Sequence, residues 1–298
     1  MFPIFLTFAL FAAGIFVNKQ LLVFLPPTLF VGIRMFFSGI ILALYGWHQR
    51  KNLKNMRADW PILIVIALFT ALIPSLFKAY ALTHLPAGQT ALLSSIDPFV
   101  TALYVYLIWH EKMSSKQLLG IFLGCAGTWI SINLACHEMW CLQTILPQIA
   151  VIVAVALSRL GWIFVRILLK KDEYSSTQLN SFVMLFCGSC ALLVSPLIDT
   201  YGSIHIPSGG TFVSLLLFTV LVSNVIGYTL YAYIIRHYNM TLISLAGFSV
   251  PLFVSFYERI FMGRVLTAQF VLAFLFLFCG LLIFYWDELG RRKLLITK

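Results

Sequence analysis

An internal repeat is the feature of this sequence that most restricts its fold. The two copies lie 153 residues apart, so that Ala79 corresponds to Ala232, and both fall in apolar sequence. Residues Ala79, Tyr80, His84, Leu92, Pro98, Tyr104, Leu119, Gly127 and Ile130 recur as Ala232, Tyr233, His237, Leu245, Pro251, Tyr257, Leu272, Gly280 and Ile283. This shared spacing predicts two copies of one structural unit. Chance similarity between two apolar hairpins is the alternative.

The composition places the chain in a lipid bilayer. Hydrophobic residues make up 61% of the sequence and charged residues 10%, and the mean hydropathy is +0.97, which excludes an ordinary soluble domain. A helix of about 20 apolar residues spans the hydrocarbon core. Stretches of this length lie at 2–21, 27–47, 60–83, 86–109, 116–135, 143–168, 176–197, 210–235, 240–262 and 267–286. The connections are short, so no soluble domain is inserted between them.

The number of stretches in each half determines how the two copies are related. Each half holds five, and because five is odd, the second copy crosses the bilayer in the opposite sense to the first. This inverted repeat is typical of transporters. We therefore predict an all-α polytopic membrane protein with ten transmembrane helices in two inverted five-helix repeats. The predicted units are residues 1–135, residues 143–286 and a basic cytoplasmic tail at 287–298.

Basic residues indicate the orientation, because cytoplasmic loops hold an excess of lysine and arginine. With the N-terminus inside, the cytoplasmic segments contain Arg50, Lys51, Lys54, Arg57, Lys112, Lys116, Arg166, Lys170, Lys171, Arg236, Arg291, Arg292, Lys293 and Lys298. The outer connections keep Lys19 and Arg264. Topology and attraction to anionic lipid account for the net charge of +10, so no nucleic-acid partner is expected. We expect a bacterial inner (plasma) membrane protein with both termini cytoplasmic.

Two cysteines lie in the outer connection between the fifth and sixth stretches. Cys136 and Cys141 are far enough apart to form a disulfide there, but the spacing does not require one, so the sequence leaves the bridge open. A zinc site that also used His137 and Glu138 fits no closed tetrahedral pattern. We therefore expect no metal and no other cofactor.

The repeat also resembles a known family. Residues 79–127 read Ala-Tyr-Ala-Leu-x-x-Leu-Pro-Ala-Gly-x-x-Ala-Leu-Leu-x-x-x-x-Pro-Phe-x-x-Ala-Leu, followed by Glu111-Lys112, Gln117, Gly120 and Gly127. This order of features resembles the EamA repeat of the drug/metabolite transporter superfamily. The second copy is similar from Tyr233 through Pro251 to Gly280, but Arg264 stands where the first copy has Glu111. The resemblance implies ten helices around a central cavity that opens alternately to each side, and it implies no particular substrate.

Ionisable side chains at membrane depth are costly unless they are paired or hydrated, so each one is a candidate functional residue. Arg34 matches the family pattern and is open to a scaffold or a binding role. Lys78 is open to substrate binding or to snorkelling toward its helix end. Asp97 lies beside Pro98, where freed backbone groups and a carboxylate can face a cavity together, which makes it the strongest candidate. Asp97 and Glu258 are also the candidate proton carriers.

Aromatic residues complete the predicted site. Arg159 and Trp162 are three residues apart and project from much the same helix face, where a guanidinium and an indole can clamp a carboxylate and stack on a ring. The alternative for Arg159 is an interhelical ion pair with Glu258. The resemblance implies that the cavity is lined by helices that carry further candidates. These are Tyr80, Tyr228 and Tyr231.

Cationic, anionic and aromatic groups in one bundle suit a zwitterion with a flat ring. We therefore predict a secondary-active transporter of an amino acid or an S-adenosylmethionine-like metabolite, working by alternating access without ATP, since the sequence has no Walker motif. The alternatives are a hydrophobic-cation drug exporter that uses Asp97 or Glu258, an integral-membrane enzyme, and a channel or receptor. The membrane is the expected partner besides the substrate, and monomer and homodimer both stay open.

Overall fold

The computed structural model describes residues 2–46, 59–110, 114–133, 142–169, 176–199, 210–227, 230–231, 234, 246–263, 265 and 267–296. These residues form helices and short connections, and no strand occurs among them. Helices of the first half are α1 (Phe2–Leu21), α2 (Pro27–Gly46), α3 (Trp60–His84), α4 in two segments (Ala87–Ser94 and Asp97–Trp109) and α5 (Ser115–Asn133). Helices of the second half are α6 (Leu142–Leu169), α7 (Ser176–Ile198), α8 (Gly210–Ile226), α9 (Ser249–Met262) and α10 (Ala268–Ile296).

The helices agree with the predicted membrane stretches. Among the described residues, seven are long and apolar enough to cross a membrane, and Gly210–Ile226 is a shorter apolar helix. Large apolar side chains such as Phe122, Leu197 and Phe261 are exposed on the outside of the bundle, which is the arrangement expected where the solvent is lipid. The all-α polytopic membrane fold is thus confirmed. Two described helices differ from the predicted stretches: a turn interrupts α4 at Ser95 and Ile96, and α10 continues to Ile296 past the predicted end at residue 286.

Backbone irregularities recur in the two halves at the spacing of the sequence repeat. Leu68–Leu72 of α3 is a π-helical segment, and Thr219–Ile226 of α8 is another that covers its equivalent 153 residues later. A turn at Ser95 interrupts α4, and a turn at the equivalent Phe248 precedes α9. Because π segments are rare and occur mostly as single turns inside α-helices, their equivalent placement identifies the two halves as structural repeats.

The C-terminal ends of α4 and α9 are a further feature that the two repeats share. His110 caps the C-terminus of α4 with φ 52°, and Gly263 caps α9 with φ 66°. The two residues are again 153 positions apart. A left-handed residue is a common way to end a helix, and glycine adopts this conformation without steric cost, whereas histidine does not.

Glycines on equivalent helices show that the second repeat is inverted. Along α2, Gly32 meets Leu192 and Gly39 meets Leu185 of α7, so the two helices run in opposite directions. Likewise, Gly120 of α5 packs on Gly280 of α10, whereas the later Gly127 packs on the earlier Ala273 and Leu277. Small residues allow such close backbone approach in membranes. We refer to these two contacts as the glycine seams.

The two π segments are packed in the same way. A Cβ atom on Gly161 of α6 would lie 2.7 Å from the backbone nitrogen of Thr70, inside the π segment of α3. A Cβ atom on Gly14 of α1 would overlap Ser223, inside the π segment of α8. Thr70 and Ser223 are equivalent positions of the repeat. Each π segment therefore rests on a glycine in the first helix of the opposite repeat.

Candidate functional site

An ion pair joins α4 to α6 in the middle of the bundle. The Nε atom of Arg159 donates a hydrogen bond to Oδ1 of Asp97. Asp97 begins the second segment of α4, because the turn at Ser95 and Ile96 stops the first segment and Pro98 starts a new one at the next residue. A carboxylate in the first turn also interacts favourably with the helix dipole. The sequence therefore places the Asp97 side chain at a break in α4. Arg159 neutralises the charge of this carboxylate.

The charged groups around this pair are not fully buried. The side chains of Arg159 and Asp97 are 27% and 30% solvent-accessible, and Lys78 and Tyr231 are partly accessible as well. Ionisable groups at membrane depth need water or a polar partner. We therefore infer that these side chains, on α3, α4, α6 and the chain after α8, face a common polar space between the helices, which we call the cavity.

Lys78 contributes a second positive charge to this cavity. Its ammonium interacts electrostatically with Asp97, Arg159 and Arg34. Within the described ranges of the chain, it donates no hydrogen bond and forms no ion pair. The Asp97 carboxylate is already engaged by Arg159, so the charge of Lys78 is not neutralised by a direct contact.

Arg34 is held by the polar residues of two helices. Its Nη1 atom donates to Oδ1 of Asn224 at 3.5 Å, and its guanidinium lies 5.5 Å from the centroid of the Phe30 ring. Asn224 in turn donates to Oγ of Ser38 at 2.9 Å, and that hydroxyl donates to the backbone oxygen of Val220 at 3.4 Å. Because Asn224 and Val220 belong to the π segment of α8, Arg34 links the cavity to that segment.

Aromatic rings cover one side of the ion pair. Tyr231 lies within electrostatic range of Arg159, and its ring centroid lies 6.4 Å from that of Trp162. Phe11 and Phe8 of α1 pack on the same tyrosine at 5.8 Å and 6.5 Å. Sequence analysis missed these two phenylalanines, since nothing distinguishes them among the 27 phenylalanines of the chain.

Glu258 lies elsewhere and has a different partner. Its carboxylate is buried and accepts hydrogen bonds from the backbone nitrogens of Ala87 and Gly88, at 3.1 Å each. These groups are the unsatisfied donors at the start of α4, so Glu258 caps that helix from α9. Asp97 is ten residues further along α4, or about 15 Å at 1.5 Å per residue. The alternative for Arg159 is thus correct in part: it forms an interhelical ion pair, but with Asp97 and not with Glu258.

The predicted candidate Tyr80 does not share these contacts. The Tyr80 ring packs on His84 at 4.7 Å, and being two residues after Lys78 it points to nearly the opposite side of α3. Tyr228 lies outside the described residues, as do Cys136 and Cys141. Among the residues that are described, no group of three or more His, Cys, Asp or Glu side chains is placed to hold a metal ion.

Inverted helical repeats with charged side chains between the helices are typical of membrane transporters. The model of the EamA-like transporter family matches residues 1–133 and 146–286 of the chain, once in each repeat. The chain therefore belongs to the EamA-like transporter family. It is a multi-pass membrane transporter and not an enzyme.

Several proteins are similar to this chain over its whole length. An S-adenosylmethionine/S-adenosylhomocysteine transporter of Chlamydia trachomatis serovar L2 is 23% identical, over 100% of this chain and 92% of the relative. The transporter of the same name in Chlamydia muridarum is 24% identical, over 100% and 95%. Protein PecM of Dickeya dadantii is 25% identical, over 93% and 89%. A solved crystal structure with 14% identity has the same fold, with a TM-score of 0.69 over 97% of this chain and 96% of that one.

Proposed function

We propose that the protein is a secondary-active transporter of a small zwitterionic metabolite, either an amino acid or a molecule like S-adenosylmethionine. The observation that carries this proposal is the partly accessible Asp97–Arg159 pair beside the rings of Tyr231 and Trp162. A zwitterion has one group for each charge of the pair. Its flat ring, where it has one, stacks on the aromatic side.

The proposed contacts follow from the chemistry of each side chain. The amino group of the cargo binds the Asp97 carboxylate, and its carboxylate binds the cationic side of the cavity formed by Arg34, Lys78 and Arg159. Trp162 and Tyr231 contact the ring. Relatives that carry the name of an S-adenosylmethionine/S-adenosylhomocysteine transporter support this cargo class, since adenine has such a ring.

We further propose that transport occurs by alternating access across the bacterial inner membrane, with both termini in the cytoplasm. The units that move are residues 1–135 and 143–286, followed by the tail at 287–298. Support comes from the inverted relation of the two repeats, because exchanging their conformations turns an outward-open cavity into an inward-open one. Asp97 is the first candidate for carrying a coupled proton, because it lies at the cavity, and Glu258 is the second.

The first experiment is a thermal-stability screen of the purified full-length protein in detergent. Its ligands are the twenty amino acids, S-adenosylmethionine, S-adenosylhomocysteine, nucleosides, sugars and lipophilic cations. A ligand that binds the folded state raises the melting temperature, by an amount that grows with its concentration relative to Kd. The expected result is a shift with a zwitterion, followed by uptake of the same compound into proteoliposomes.

Other outcomes of the screen select between functions. A shift with lipophilic cations alone would replace the proposal by a drug exporter. A zwitterion that binds but is not taken up into proteoliposomes under any imposed gradient would exclude its transport. Asp97→Asn and Arg159→Ala are the matched variants, and if both fold and bind the zwitterion with unchanged affinity, the proposed site is wrong.

A further inference from the structure

The positive charges at the cavity outnumber the negative ones. Arg34 and Arg159 both lie within electrostatic range of Lys78, and among the described residues in that range Asp97 is the carboxylate. Asp97 is hydrogen-bonded to Arg159. Arg34 has Asn224 and the Phe30 ring beside it. Lys78 is the cation that donates no hydrogen bond within the described part of the chain, so its charge is the one that most needs an added anion.

The direction of the Lys78 side chain argues against a simple snorkelling role. Lys78 lies six residues before the C-terminal end of α3 at His84. Side chains of an α-helix lean toward the N-terminus of the helix. On α3 that direction leads away from the nearer helix end and toward the middle of the helix. The neighbours of the ammonium agree, because they are Asp97, Arg159 and Arg34 of three other helices.

An ammonium that is partly withdrawn from water and has no hydrogen-bonded counter-ion is unfavourable. A carboxylate at this position would receive hydrogen bonds from Lys78 and would lower the excess of positive charge. A cationic group would raise that excess. The cavity therefore distinguishes two molecules of the same shape by their net charge.

We infer that Lys78 is the specificity-determining residue that binds the cargo carboxylate, and that the cavity selects a cargo of zero net charge over a cationic one of the same shape. This inference rests on the proposed function and deepens it. Applied to the cargo pair in the relatives' name, it favours S-adenosylhomocysteine, a thioether zwitterion, over S-adenosylmethionine, whose sulfonium adds one positive charge. The two molecules otherwise differ by a single methyl group, so they isolate the effect of charge.

The test compares matched ligands on the purified full-length protein by isothermal titration calorimetry. In the wild-type protein, S-adenosylhomocysteine should bind about tenfold more tightly than either S-adenosylmethionine or S-adenosylhomocysteine methyl ester, which is the effect of one partly screened charge contact. In Lys78→Met, all three dissociation constants should converge. Lys78→Arg should keep most of the preference. Lys116→Met, on the exposed end of α5, is the control and should behave like the wild type.

The outcomes separate this inference from the proposed function. Equal affinity of the wild type for the ester and the free carboxylate overturns it, and so does an unchanged preference in Lys78→Met. If Lys78→Met does not fold, Lys78→Gln takes its place in the same titrations. If neither adenosyl compound binds, that cargo is wrong, and the titrations are repeated with tyrosine and tyrosine methyl ester. If tyrosine and its methyl ester bind equally well, the proposed role of Lys78 is wrong. It is also wrong if no ligand with a carboxylate binds at all.

Discussion

The two repeats have the same backbone irregularities but different charges. Each has a π segment in its third helix, a turn at the same position before the proline of its fourth helix, and a left-handed residue after that helix. The charges at the cavity do not follow this symmetry. At the spacing of the repeat, Lys78 corresponds to Tyr231 and Asp97 to Val250.

This difference separates two kinds of requirement. A transporter that exchanges the conformations of its repeats needs the same deformable points in both halves. The cargo occupies one cavity and is not symmetric, so each charge is needed once. We therefore expect substitutions at symmetric features to act alike in both halves, and substitutions at the charged residues to have no equivalent in the other half.

The largest expected effect comes from the asymmetric ion pair. Asp97→Asn leaves Arg159 without its counter-charge. Breaking a fully buried pair by removing one partner costs about 3–5 kcal/mol of folding free energy, and this pair, at 27% and 30% side-chain accessibility, should lose less than that. Proteoliposome uptake should be lost. The double variant Asp97→Asn with Arg159→Met should recover most of the melting temperature but no uptake. Wild-type uptake by the double variant would show that the pair is structural only.

The next effect tests the symmetric packing of the π segments. Gly161→Ala and Gly14→Ala place a Cβ atom against Thr70 and Ser223, and such overpacking costs about 1–3 kcal/mol. The loss of stability and of uptake rate should be similar in the two variants. Gly210→Ala is the control, because no atom lies within 4 Å of the added carbon. Loss of uptake in only one of the two would mean that the halves do not contribute equally.

Glu258 has no acidic equivalent, since residue 105 is a valine. Glu258→Ala leaves the backbone nitrogens of Ala87 and Gly88 without their acceptor, which costs about 1–3 kcal/mol. Glu258→Gln keeps an acceptor and should retain most of the melting temperature and of the uptake. If Glu258→Gln is stable but no longer takes up cargo against a proton gradient, Glu258 is a proton carrier in addition to a cap.

The smallest expected effect is on stability and concerns the left-handed residues that end α4 and α9. His110→Gly should stabilise the protein by about 1 kcal/mol, because a non-glycine residue in the left-handed region costs that much. Gly263→His should destabilise it by a similar amount. Denaturation curves of the two single variants measure both values. Changes of the same sign in both would contradict the equivalence of the two ends.

The sequence predicts the fold well and the partners within the site less well. Apolar stretches and the repeat identify the helices because burial in lipid requires long runs of apolar residues. Asp97 beside Pro98 marks the break in α4. The partner of Arg159 is 62 residues away in the chain, and only the packing of α4 against α6 selects Asp97 rather than Glu258. The π segments have no sequence signature in their own residues, and each packs against a glycine that lies far away in the chain.

The glycine seams have a consequence for the synthesis of the protein. Each seam joins a helix to its own counterpart in the other repeat, so α2 and α5 have to wait for α7 and α10. The counterpart emerges about 150 residues later, which at about 5–20 residues per second takes on the order of 10 to 30 s. During this interval the first half sits in the membrane with its glycine faces against lipid. The first repeat therefore has to remain stable in the membrane with α2 and α5 unpaired until the second repeat has been synthesised.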